Sequence, residues 1–148
     1  MTRIVVDASV AIKWLLPERD SEADSGRALA LLSQIRDGMI ELVQPPHWLA
    51  EVAAVLVRLS PETVEDDIAD LYALELPVLD TPGLYLTACA LARSLDHHLF
   101  DTLYHAVALE VGNATLVTAD ERYYRKGYAR GSIALLSSLT PPARETGG

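Results

Sequence analysis

Along the chain, short β-branched apolar runs alternate with longer stretches whose apolar positions recur at helical spacing. Ile4-Val5-Val6 is a continuous apolar run, as expected for a strand buried on both faces. A helix is predicted from about Ser9 to Leu16, stopping at Pro17. A second is predicted from Asp20 to Asp37, where Ala28, Leu29, Leu31, Leu32 and Ile35 repeat at helical spacing and Gly38 ends the run. Ile40 to Val43 reads as a short strand, and Pro45-Pro46 opens a strongly apolar helix, Trp48 to Leu59. Ser60 followed by Pro61 predicts a capped start to the next helix, with Glu62 and Glu65 in its first turn. Leu76 to Leu79 reads as a strand that Pro77 confines to a sheet edge. Helices at about Pro82–Leu95 and Asp101–Val111 follow, the second broken by Gly112-Asn113. Ala114 to Thr118 and Ile133 to Leu136 are the remaining strands, and the Pro/Gly-rich tail 141–148 is expected to be mobile.

Strands alternating with helices imply right-handed crossovers and an α/β fold, a mostly parallel sheet of four to five strands sandwiched by helices. At 148 residues, with no repeat and no linker, one domain is expected over about 1–140. In such sheets ligands bind outside the carboxyl ends of the strands, so the residues placed there matter most.

Composition narrows the class. The single cysteine, Cys89, allows no internal disulfide and is expected to pack in the core of its helix. The N-terminal apolar run of three residues is too short for a signal peptide, and no run of about 18 apolar residues spans a membrane; a cytoplasmic protein is expected. A hydrophobic fraction of 50% is high for a soluble domain and points to an apolar surface covered by a partner. The net charge of −9 runs against nucleic-acid binding, which usually carries a basic footprint.

Four acids fall where chemistry would be. Asp7 follows the first strand, Asp120 follows the strand ending at Thr118, and Asp101 opens a helix. Each is also a favoured helix cap taken singly. Glu51 lies on an apolar helix, sharing a stripe with Trp48, Val55 and Leu59, where a carboxylate needs either the helix dipole or a partner such as Arg58. Gathered at one sheet end, such carboxylates repel by roughly 4 kcal/mol per pair at about 4 Å and an effective dielectric near 20. A cation relieves that repulsion, and an all-oxygen site suits Mg²⁺ or Mn²⁺, ions that act on phosphodiesters.

These pieces resemble the PIN-domain ribonucleases, in particular the VapC-like toxins of bacterial and archaeal toxin–antitoxin pairs. The resemblance rests on VVDASVAIKWLLPE at 5–18, the Glu51 helix, FDTLYHAVA at 100–108 and TLVTAD at 115–120, and runs from residue 4 to about 136. It implies a PIN-like fold and a metal-dependent endoribonuclease using Mg²⁺ or Mn²⁺. Asp7, Glu51, Asp101 and Asp120 fall on the family's acidic positions, with Asp7, Asp101 and Asp120 as metal ligands and Ser9 and Thr118 as small polar neighbours. It also implies a homodimer and a small antitoxin laid over an apolar groove, which Trp14, Leu15 and Leu16 would line. One departure stands out: many relatives carry a further acid three residues after the Asp120 position, where this chain has Tyr123, with Glu121 beside Asp120 instead.

Arg122, Arg125, Lys126 and Arg130, interleaved with Tyr123, Tyr124 and Tyr128, form a basic stretch suited to RNA phosphates and bases, and Arg3, Lys13 and Arg19 are expected on the same rim. Glu62, Glu65, Asp66, Asp67 and Asp70 read as a solvated acidic face. His97 and His98 read as a solvated loop, and His105 shares a helix face with Asp101. A receiver-like phosphotransfer domain would use Asp80 but finds no Lys after Thr118; a haloacid-dehalogenase-like phosphatase would need an Asp where Ser9 stands. A PIN-like module that only binds partners is the non-enzymatic alternative.

Overall fold

The computed structural model describes residues 2–16 and 22–139, the side chains of Glu22 and Ala23 excepted. Pro17, Arg19 and the tail 141–148 lie outside the described residues. The elements run β1 (Thr2–Val6), α1 (Ala8–Leu15), α2 (Glu22–Arg36), β2 (Ile40–Leu42), α3 (Trp48–Leu59), α4 (Val64–Ala73), α5 (Pro82–Leu95), α6 (Leu99–Val111), β3 (Ala114–Thr118), α7 (Glu121–Gly127) and β4 (Ile133–Leu135). Single 3-10 turns follow α7 and β4. All strand pairs are parallel and the order is β2-β1-β3-β4. The α/β architecture read from the alternating pattern is therefore the one observed, with four strands.

β1 is buried on both faces: Val5 and Val6 are fully enclosed. It sits between β2 and β3, with Val5 opposite Leu116 and Val6 opposite Val117. α6 is the most buried helix, enclosed continuously from Thr102 to Ala108, because it lies against β1 and β3 and pairs along its length with α5. Chain connections leave β1 in opposite directions to β2 and β3, so the gap beyond the carboxyl ends of β1 and β3 is the switch point of the sheet.

Several local expectations need correction. Leu76–Leu79 is not a strand; it makes one parallel bridge, Gln44 to Val78, because Pro77 has no N–H to continue a ladder. Ser60 does not cap α4: its hydroxyl meets Thr63 Oγ1 at 2.6 Å, and the helix begins at Val64 with Thr63 at the cap position. α6 begins at Leu99, two residues before Asp101. Cys89 is exposed, not core, since α5 buries the face of Leu84, Ala88 and Leu91. The basic stretch after Asp120 is a helix, α7, and Gly127 lets it approach α6: a Cβ there would lie 3.2 Å from the buried His105 ring.

Gln44 holds the functional end of β1. It is fully buried, its Oε1 accepts from the Val6 N–H at 3.0 Å and its Nε2 donates to the Val6 carbonyl at 2.8 Å. One amide thus continues the sheet past the end of β2, up to the residue before Asp7. Gln44→Leu leaves two buried backbone groups unpaired and is expected to cost about 2 kcal/mol, read as a lower urea midpoint at unchanged slope.

Candidate active site

The chain turns from strand to helix at Asp7, which has the backbone of an α1 cap (ψ 178°) but makes no side-chain cap hydrogen bond. Its carboxylate instead accepts from two hydroxyls: Ser9 Oγ donates to Oδ1 at 2.5 Å, and Thr118 Oγ1 donates to Oδ2. Ser9 also accepts from the Ala119 N–H and Thr118 from the Asp120 N–H, both at 3.0 Å. The two hydroxyls therefore stitch the end of β1 to the end of β3. Neither caps a helix; both orient Asp7.

Asp7, Glu51, Asp101 and Asp120 line one cleft of about 140 Å³, with Ala8, Ser9 and Val55. Residues 113 positions apart in the chain are thus brought to one cleft (Asp7 and Asp120). Glu51 occupies the first turn of α3, where the helix dipole favours a carboxylate. Arg58 is exposed and does not pair with it; His47 Nε2 lies 3.6 Å away. That ring is not a cation: its Nε2 donates to the Phe100 carbonyl at 2.7 Å, and burial pushes its pKa down. Asp120 divides its role, one oxygen capping α7 by accepting from the Tyr123 N–H at 3.1 Å. Tyr123 is buried and donates to His105 Nδ1 at 2.7 Å. His105 in turn donates to the Gly131 carbonyl, so it holds α6, α7 and the following loop together and does not face the cleft as a ligand.

The electrostatics of the cleft are those of crowded, desolvated acids. Burial, and then the Asp101 charge, push Asp7 from its usual 3.8 up to about 6 against the hydroxyls that lower it. Glu51 is raised as well, first by burial and then by Asp101. Two tyrosines report the same field: Tyr104 and Tyr123 are both held protonated, first by burial and then by cleft acids, Glu51 foremost for Tyr104 and Asp101 for Tyr123. The Tyr104 hydroxyl is buried and makes no hydrogen bond of good geometry, although Glu51 is the acid it feels most. Tyr104→Phe is expected to change stability by less than about 1 kcal/mol, since no well-formed bond is lost, as urea unfolding would measure.

Sequence reasoning missed His97. It is no solvated loop residue: its side chain is 6% exposed, Nε2 meets Asp101 Oδ2 at 2.7 Å, and Lys126 Nζ donates to Nδ1 at 3.2 Å. No helical spacing signals this contact: His97 lies in the turn before the α6 cap residue His98, and its ring folds back onto Asp101 in the first turn. Lys13 is also misplaced on the rim; it is buried. Trp14 is largely core, its indole N–H donating to the Ala28 carbonyl, while Leu15 and Trp14 also edge a groove of about 220 Å³ with Leu32, Arg36, Asp67, Asp70, Leu71 and Leu74.

The donor set suits a hard divalent cation: every acid offers oxygen, and the pressure on Asp7 is of the kind a cation relieves. Among the described residues no three His, Cys, Asp or Glu side chains already converge as a ready-made ligand set. Mg²⁺ tolerates this, since it keeps several waters and takes one or two carboxylates plus substrate phosphate.

No curated protein matches the chain. Among solved structures, a chain of VapBC2 from Rickettsia felis, bound to a DNA fragment from its promoter, superposes with a TM-score of 0.64 at 14% identity, covering 90% of this chain and 98% of that one. A chain of VapBC-1 from nontypeable Haemophilus influenzae gives a TM-score of 0.62 at 18% identity, covering 92% and 99%. These likenesses support the fold. The PIN domain family model matches residues 4–128, a span that runs from within β1 to the end of α7 and holds all four cleft acids. The chain belongs to the PIN domain family.

Proposed function

We propose that this protein is a metal-dependent endoribonuclease, the toxin of a toxin–antitoxin pair. The observation that carries the reading is the gathering of Asp7, Glu51, Asp101 and Asp120 in one cleft at the switch point of the sheet. The two similar structures are VapBC assemblies by description, which favours the toxin role within the family. Asp7, Asp101 and Asp120 would hold Mg²⁺ or Mn²⁺. Such an ion supplies Lewis-acid polarisation of a phosphoryl oxygen and charge stabilisation at the leaving oxygen.

The chain's own residues prepare the rest. Ser9 and Thr118 fix both oxygens of Asp7, and His97 fixes Asp101, so the ligands are oriented before substrate arrives. Glu51, with its pKa raised, is suited to accept a proton from a water attacking the phosphodiester. Arg122 and Lys126 line a pocket with His97, which holds Asp101, and would offer phosphate contacts; Arg125 is exposed on the same helix.

The antitoxin would seat in the groove of Trp14, Leu15, Leu32, Leu71 and Leu74, where Arg36, Asp67 and Asp70 provide a charged border. Exposed apolar side chains on other helices, among them Val57, Tyr72 and Leu86, are candidates for the homodimer surface and account for part of the high hydrophobic fraction. No helix among the described residues is long and apolar enough to cross a membrane.

The test uses protein freed of any antitoxin, a panel of RNAs, and Mn²⁺, Mg²⁺ or EDTA, with Asp7→Asn and Asp101→Asn alongside. Metal-dependent cleavage lost in both variants is expected. Cleavage that persists in EDTA or in the variants would defeat the mechanism, and no cleavage of any RNA would favour a partner-binding module.

A further inference from the structure

We infer that a second, cationic pocket, separated from the acid cleft by the His97–Asp101 pair, is a subsite for a backbone phosphate of the RNA strand. Its ligand's source rests on the nuclease reading; its chemistry does not. Arg122 and Lys126 stand four apart on α7 and so share one face. With Asp96, His97 and His98 they line a cavity of about 240 Å³. Like charges at that spacing disfavour a helix by a few tenths of a kcal/mol. No acid side chain pairs with either cation among the described residues.

The pocket is built, not a loose patch. Asp96 ends α5 in the left-handed conformation (φ 50°), and its carbonyl accepts from Lys126 Nζ at 2.9 Å. The same ammonium donates to His97 Nδ1. Because Nδ1 accepts, the ring carries its proton on Nε2 and donates it to Asp101. The His97 ring therefore forms the shared wall: a carboxylate of the acid cleft on one side, a fixed ammonium on the other. Lys126 has a third N–H to offer, and Arg122 has its whole fork. A tetrahedral oxyanion satisfies both, and polar, cationic lining rejects an apolar ligand. Placed one side chain from Asp101, the pocket suits the phosphate neighbouring the one under attack. It also answers how an acidic protein meets RNA: the cations that matter are concentrated where the strand must pass.

The experiment keeps metal out. The full chain, ¹⁵N-labelled and in EDTA, is titrated with inorganic phosphate. Backbone shifts confined to residues 96–98 and 122–126 are expected, and lost in Arg122→Ala/Lys126→Gln. Absence of those shifts overturns the proposal. Fluorescence anisotropy with a single-stranded RNA 10-mer, also in EDTA, then compares that variant with Arg58→Ala, which removes an exposed arginine on α3. The pocket variant is expected to weaken binding about 10-fold for every sequence and to flatten the salt dependence by roughly 0.7 per lost contact, while Arg58→Ala stays within about 2-fold. Equal effects of the two variants overturn the proposal. A strong preference for a 5′-phosphorylated over a dephosphorylated 10-mer overturns the backbone assignment in favour of a terminal phosphate. A protein that takes phosphate in the pocket yet cuts no RNA fails as a nuclease while the pocket stands; one that cuts RNA with unchanged KM after the double substitution fails the pocket while the nuclease stands.

Discussion

Asp7→Asn is expected to lower kcat/KM for RNA by about 10³-fold or more, about 4 kcal/mol of transition-state stabilisation, while making the metal-free fold more stable. The two effects have one origin. Burial and the Asp101 charge hold Asp7 near pKa 6, against 3.8 for an ordinary aspartate. In the metal-free protein, folding binds a proton between those values, so stability is fully present below about pH 4 and falls as pH rises through about 6. At neutral pH the ionised group costs about 3 kcal/mol by that linkage. Asparagine removes the charge but keeps the shape. It also weakens the hydrogen bonds from Ser9 and Thr118, so the expected net gain is about 1–2 kcal/mol, or about 3–6 °C in Tm for a chain of this size. Calorimetry in EDTA at pH 7.5 and a cleavage assay in Mn²⁺ read the two quantities separately. A variant that stays active, or that melts lower than the parent at pH 7.5 but not at pH 4, would contradict the account.

Removing the metal is expected to have the largest effect of all: EDTA abolishes cleavage, and Mn²⁺ restores it. The same ion should stabilise the fold. At a hundredfold excess over its Kd, a ligand bound only by the native state adds about 2.7 kcal/mol, which is roughly 5–10 °C here. The increment should shrink at pH 5, where a proton competes for Asp7, and should be largely lost in Asp101→Asn. An equal shift at both pH values would mean that the ion binds elsewhere on this acidic surface.

How far the sequence could be read depended on the kind of interaction. The helices were legible where an apolar stripe dictated them, as in α3 and α5, and β1 was legible from its unbroken Ile4-Val5-Val6 run. The four acids were legible as candidates because of their motifs, and the fold brings all four to one cleft. What stayed hidden depended on one residue's backbone or on side chains meeting across the chain. Pro77 was read as marking an edge strand, yet its missing N–H leaves only a single bridge. The start of α6 lies two residues earlier than read, and His97 stays in the turn before it, yet its ring reaches Asp101. Nothing near Gln44 in the sequence signals that its amide completes the β1 ladder 38 residues away. Cys89 was misjudged because a one-position shift on a helix is about 100° of rotation, enough to exchange core for solvent.

The groove and the cleft also differ in when they can exist. Every side chain lining the groove lies between Trp14 and Leu74, whereas the acid cleft needs Asp101 and Asp120 and the pairing of β1 with β3 across more than a hundred residues. During synthesis at about 5–20 residues per second, roughly 2–9 s separate the emergence of residue 74 from that of residue 120. A nascent chain therefore presents the parts of the groove before it holds all four acids of the cleft. A partner that docked there early would meet a chain whose acid cleft is not yet assembled.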